Sequence, residues 1–116
     1  MNGESLAGGV LIVGTGLLGT SVGLALRRAG VDVQLTDQDD DAVAEAAKLG
    51  AGRRHEQGAP VALAVIAVPP AATAVAVASV LDDRLAAYAT DVASVKVAPV
   101  EQVRALAAEP GRFVGG

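Results

Sequence analysis

Four apolar residues, Val10 to Val13, run into Gly14-Thr15-Gly16-Leu17-Leu18-Gly19, and the hydrophobic rhythm changes across that turn. The run before it has the look of a strand covered on both faces. After it, Val22, Leu26 and Ala29 fall at helical spacing, which predicts a helix from about Leu17 to Ala29 that ends in Arg27 and Arg28 and stops at Gly30. Val31 to Thr36 alternates apolar and polar residues, a second strand with one wetter face, and ends at Asp37. A helix from about Asp40 to Leu49 follows and stops at Gly50. Ala51 to Ala59 is charged and contains glycine, with room for a short third strand. Val61 to Val68 is almost uninterrupted apolar sequence, as in a central parallel strand. The A-V-A-V-A inside Ala71 to Leu85 resembles a strand, but its length, the leading Pro69 and Pro70, and the Val77, Leu81, Leu85 spacing predict a helix. Tyr88 to Val92 reads as a fifth strand, about Val97 to Ala108 as a helix with Pro99 in its first turn, and Arg112 to Gly116 as the start of a sixth strand.

Strands alternating with helices at this spacing predict an α/β fold: one Rossmann-type, doubly wound, mainly parallel sheet over residues 10–116. Met1 to Gly9, polar and without period, reads as a flexible lead-in. The 116 residues suffice for one core, and the 52% apolar content excludes a disordered chain. Only Tyr88 and Phe113 are aromatic, so Val, Leu, Ile and Ala must fill the interior. The net charge of −4, with arginine and lysine scattered, argues against a nucleic-acid or anionic-membrane footprint. With no cysteine, disulfides and thiolate metal sites are excluded, and with one histidine a zinc site is not expected. No apolar run reaches about 18 residues and no secretory leader is evident, so a soluble cytoplasmic protein is expected.

The chemistry concentrates at the glycine turn, spaced as G-x-G-x-x-G. Gly14 lets the chain reverse, Gly16 has no side chain to hold a phosphate off the backbone, and Gly19 lets the helix lie close on the strand. The amides of Leu17 and Leu18, with Thr15 in the same turn, then face an anion. Gly23, one turn further on, suggests that this helix approaches the sheet closely. Asp37 falls 18 residues after Gly19, near the spacing of an acid that accepts hydrogen bonds from an adenosine ribose diol; its plainer role would be to begin a turn or cap the next helix. Asp39, Asp40 and Asp41 suit that helix's N-terminus. Because Gln38 to Asp41 offers only neutral or negative groups where a 2′-phosphate would sit, the expected cofactor is NAD rather than NADP. Val68 and Pro69, at the end of a central strand, could flank the nicotinamide ribose or simply form a rigid loop. Ser94 could cap the last helix or place its hydroxyl at the ligand edge. His55 reads as a solvated residue and Lys96 as a solvated or pairing charge, neither of them catalytic. A P-loop is set aside because Thr20 stands where its lysine belongs, and no zinc-protease or serine-hydrolase motif is present.

Taken together, V-L-I-V-G-T-G-L-L-G-T-S-V-G-L-A-L, A-V-I-A-V-P-P, D-V-A-S-V-K and R-F-V-G-G resemble the N-terminal half of a prephenate dehydrogenase, from about Val10 to the end. The resemblance implies an enzyme that oxidises prephenate with NAD, releases carbon dioxide and yields 4-hydroxyphenylpyruvate on the tyrosine pathway, with aromatisation as the driving force. It places the pyrophosphate at Gly14, Gly16, Gly19, Leu17 and Leu18 and the ribose at Asp37. Ser94 resembles the serine that lies near the nicotinamide and helps align a catalytic histidine. That histidine, a substrate-binding arginine and the helical domain that makes the homodimer would lie beyond Gly116. The 116-residue chain by itself is therefore expected to bind NAD without turnover, and to be a piece of a longer enzyme or a natural short chain. An arogenate dehydrogenase would share every motif, and a dinucleotide-sensing module would need only the turn and Asp37.

Overall fold

The computed structural model describes residues 8–56 and 61–91. Within them the chain forms β1 (Val10–Val13), α1 (Leu17–Arg28), β2 (Val33–Thr36), α2 (Asp40–Lys48), β3 (Arg53–Arg54), β4 (Val61–Ile66), α3 (Pro70–Asp82) and β5 (Ala86–Asp91). The strands lie in the order β3-β2-β1-β4-β5, every pair parallel. The chain thus works outward from β1 to one edge, then resumes on the other side of β1, and the winding reverses between β1 and β4. Such a reversal opens a crevice at the carboxyl ends of the two strands.

Side chains alternate along a strand, so a sheet covered by helices carries two apolar faces. On one, Ile12, Leu35 and Val65 pack against Val22 and Leu26 of α1 and Val43 of α2; on the other, Leu11, Ala64 and Ala89 pack with Val80 of α3. The continuous run read from the sequence is β4, buried at five of its six positions. Pro70 opens α3, where a missing amide costs nothing. Asp39 caps α2, its carboxylate accepting from the amides of Asp41 (3.0 Å) and Ala42 (3.4 Å), a contribution of about 1 kcal/mol.

Several local expectations are corrected. Ala29 is exposed, because α1 ends at Arg28 and its buried stripe finishes at Leu26. β2 starts at Val33, and the wetter face expected of it is absent at Gln34, which is buried. The Gln34 Oε1 accepts from the Glu56 amide (3.3 Å) and lies 2.7 Å from His55 Nδ1. His55 is therefore half-buried and partnered rather than solvated. Leu85 lies past the end of α3 yet still packs on the α3 face of the core. At the N-terminus, Gly9 accepts a hydrogen bond from the Ala62 amide (3.0 Å), so the end of the expected lead-in is tied to β4. Ser94, Lys96, the helix expected at 97–108 and the strand expected at 112–116 lie outside the described residues.

Candidate functional site

β1 delivers the chain to Gly14, whose φ of +102° suits glycine. A Cβ there would lie 2.6 Å from the Ala67 carbonyl oxygen. The turn is held on both sides: the Gly14 amide donates to the Thr36 carbonyl (2.9 Å), and the Ala67 amide donates to that of Val13 (2.7 Å). At Gly19 a Cβ would stand 1.9 Å from the Gly14 oxygen, so α1 starts in direct contact with the turn that precedes it. Gly23 is equally tight, but what it meets is the Ala51 carbonyl oxygen, 2.6 Å from its would-be Cβ, in the connection to β3 rather than in a strand. Gly16 differs from all three, since a Cβ there would have nothing within 4 Å.

That open space lies at the N-terminus of α1. Gly16 is its N-cap, no side chain caps it, and its first turn holds no acid. The amides of Leu17, Leu18 and Gly19 have no intrahelical acceptor, and the helix dipole adds partial positive charge. α2, at the same edge of the sheet, is built the opposite way: Asp39 caps it and Asp40 and Asp41 fill its first turn. One helix satisfies its own donors, while the other leaves them for a ligand. An anion with several oxygens fits the second kind of terminus.

Asp37 stands beside this terminus at the end of β2. Its Oδ2 accepts from the Thr15 amide (2.6 Å) and the Thr15 hydroxyl (3.1 Å), and its Oδ1 from the Asp39 amide (2.9 Å). Partial burial pushes the carboxyl's pKa upward, but hydrogen bonds from the Thr15 amide, the Asp39 amide, the Thr15 hydroxyl and the Gln38 amide outweigh it, and the net shift is downward. The acid is therefore ionised at neutral pH. Thr15, read from the sequence as a ligand contact, is 5% exposed, with its amide and hydroxyl both turned to Asp37.

The crevice between β1 and β4 measures about 1110 Å³. Gly14, Gly16, Leu17, Leu18, Asp37 and Gln38 form one wall, and Val68, Pro69 and α3 the other. Sequence reasoning missed the α3 wall of Ala72, Val75, Ala76 and Ser79, although their helical spacing puts them on one side of the helix, with buried Val80 at the foot of the same wall. It also missed Asp91, at the end of β5, as part of the lining. Leu17 and Val75 expose 85% and 73% of their surface, an apolar rim on an anion-seeking site. His55 is not part of the lining.

A doubly wound sheet whose reversal point carries a bare helix terminus beside an ionised acid defines a nucleotide-binding α/β domain. More narrowly, this chain belongs to the family described as prephenate dehydrogenase, nucleotide-binding domain, whose model matches residues 22–116. The match begins after the glycine turn, so the turn is assigned from its own geometry. Over 106 residues the chain is 43% identical to the probable prephenate dehydrogenase NovF of Streptomyces niveus, covering 91% of this chain and 29% of that protein. Its fold is similar to that of prephenate dehydrogenase from A. aeolicus, solved in complex with hydroxyphenyl propionate and NAD+ (TM-score 0.65, 20% identity, covering 91% of this chain and 40% of that one). Synechocystis arogenate dehydrogenase is equally similar (TM-score 0.65, 20% identity, covering 91% and 39%). The chain thus spans well under half the length of these relatives. Among the described residues no helix is long and apolar enough to cross a membrane.

Proposed function

We propose that this chain binds NAD as the cofactor domain of an enzyme that oxidatively decarboxylates prephenate to 4-hydroxyphenylpyruvate for tyrosine synthesis. The observation that carries the proposal is the uncapped N-terminus of α1, open at Gly16 and flanked by ionised Asp37. The amides of Leu17 and Leu18 would hold the diphosphate at Gly14, Gly16 and Gly19, Asp37 would accept a hydrogen bond from the adenosine ribose, and Val68 and Pro69 would flank the nicotinamide ribose. Bound NAD supplies the hydride acceptor. The chain's own part is to fix that acceptor's position and to exclude water along the apolar α3 wall. Ser94 would align the catalytic base, a role drawn from the motif.

The name of the 43%-identical relative supports prephenate over arogenate as substrate. The base, the substrate-binding arginine and the dimerising domain implied by the family would belong to the rest of such an enzyme, since this chain spans 29% of one relative and 40% of another, and the reading places the domain in the cytoplasm. The reading is tested by calorimetric titration. NAD should bind at least about tenfold tighter than NADP, because a 2′-phosphate would meet Asp37 with no cation beside it among the described residues of the crevice wall. Equal affinities for the two would remove the role given to Asp37.

A further inference from the structure

We infer that Thr15 is a positioning residue for nucleotide binding, acting through Asp37 and not on the nucleotide itself. This rests on the reading of the crevice as an NAD site. Thr15 is 5% exposed and is not part of the crevice lining, whereas Asp37 is. Its amide (2.6 Å) and hydroxyl (3.1 Å) converge on one oxygen, Asp37 Oδ2, across 22 residues of sequence. A carboxylate has about four lone-pair sites, and Thr15 occupies both of those on Oδ2. The Asp39 amide takes one on Oδ1, and the Gln38 amide adds the smallest contribution to the carboxylate, so a sugar hydroxyl would be accepted on the Oδ1 side, away from Thr15. Two donors on the inner oxygen thus settle which way the outer one faces.

The arrangement also reaches the phosphate side of the site. With its own amide committed to Asp37, Thr15 is removed from the donors of the turn, and the anion is left to the helix terminus. The Thr15 carbonyl in turn accepts from the Thr20 hydroxyl (3.1 Å), one turn into α1, which ties the helix start to the same residue. Acid, turn and helix are therefore held in register by one residue, through its amide, hydroxyl and carbonyl.

The test is a double-mutant cycle on NAD affinity, using the full 116-residue chain with Thr15→Val, Asp37→Ala, both together, and Thr15→Ser. Thr15→Val keeps the shape and the amide and removes the hydroxyl. It should weaken NAD by about tenfold, the size of one hydrogen bond to a charged group, and Thr15→Ser should restore affinity to within about twofold. In the Asp37→Ala background the valine should cost nothing more. An ionised Asp37 is the stronger acceptor, and loss of the hydroxyl lets its pKa rise towards the ordinary carboxylate value, so affinity should fall off at a higher pH in Thr15→Val than in the unsubstituted chain. Thermal melts establish that each variant is folded; should valine prevent folding, Thr15→Ala makes the same cycle. Equal losses in both backgrounds, or no loss with either substitution, would overturn the inference. No NAD binding by the unsubstituted chain, or no effect of Asp37→Ala, would overturn the underlying NAD reading as well.

Discussion

Gly19→Ala is expected to destabilise the fold by about 4 kcal/mol or more, a large share of what a domain of this size holds. The added methyl would sit 1.9 Å from the Gly14 carbonyl oxygen and 3.2 Å from Ile12 Cγ2. Neither neighbour can yield cheaply. Gly14 is fixed between Thr36 and the end of β4, and Ile12 is fully buried in the middle of the sheet. Relief would require α1 to lift from β1, which would open the core that Val22 and Leu26 close. Urea denaturation followed by far-ultraviolet circular dichroism measures the effect; a midpoint near that of the unsubstituted chain would mean that α1 does not rest on the turn as described.

Gly16→Val is expected to show the converse. The backbone here is extended, with φ of −72°, and a Cβ meets nothing within 4 Å, so stability should change by no more than about 1 kcal/mol. Affinity for NAD should nevertheless fall by about a hundredfold or more, because the new side chain would stand where a diphosphate must touch the amides of Leu17 and Leu18. Calorimetry and the same urea titration measure the two quantities on one sample. Together the two glycine variants separate folding from binding three residues apart.

How far the sequence disclosed this site depends on the range of each interaction. The reversal at Gly14 and the contact at Gly19 are local consequences of the G-x-G-x-x-G spacing, and the apolar run of β4 shows directly in residue types. The role of Thr15 is different. It occupies a variable position of the motif, and its partner is reached only when β1 and β2 pair, so no nearby pattern announces it. Gln34 misled for a similar reason: alternation marked it as wet, yet the chain leaving β3 brings the His55 ring and the Glu56 amide to it. The α3 wall escaped notice because an alanine-rich helix has little contrast between its faces. Thus Val80 is buried while Ala72 and Val75 are exposed, all within one apolar-looking stretch.

The placement of β1 between β2 and β4 has a consequence for the order of events during synthesis. A nascent chain that has assembled β1, α1 and β2 already carries the bare amides and the acid, but the opposite bank arrives only with β4, some fifty residues after β1. Cofactor present in the cell would therefore discriminate between half-built and finished sheets, adding roughly 2.7 kcal/mol to the finished one alone when its concentration is a hundred times Kd. Nucleotide supply becomes, in that sense, a late proofreader of this domain's maturation.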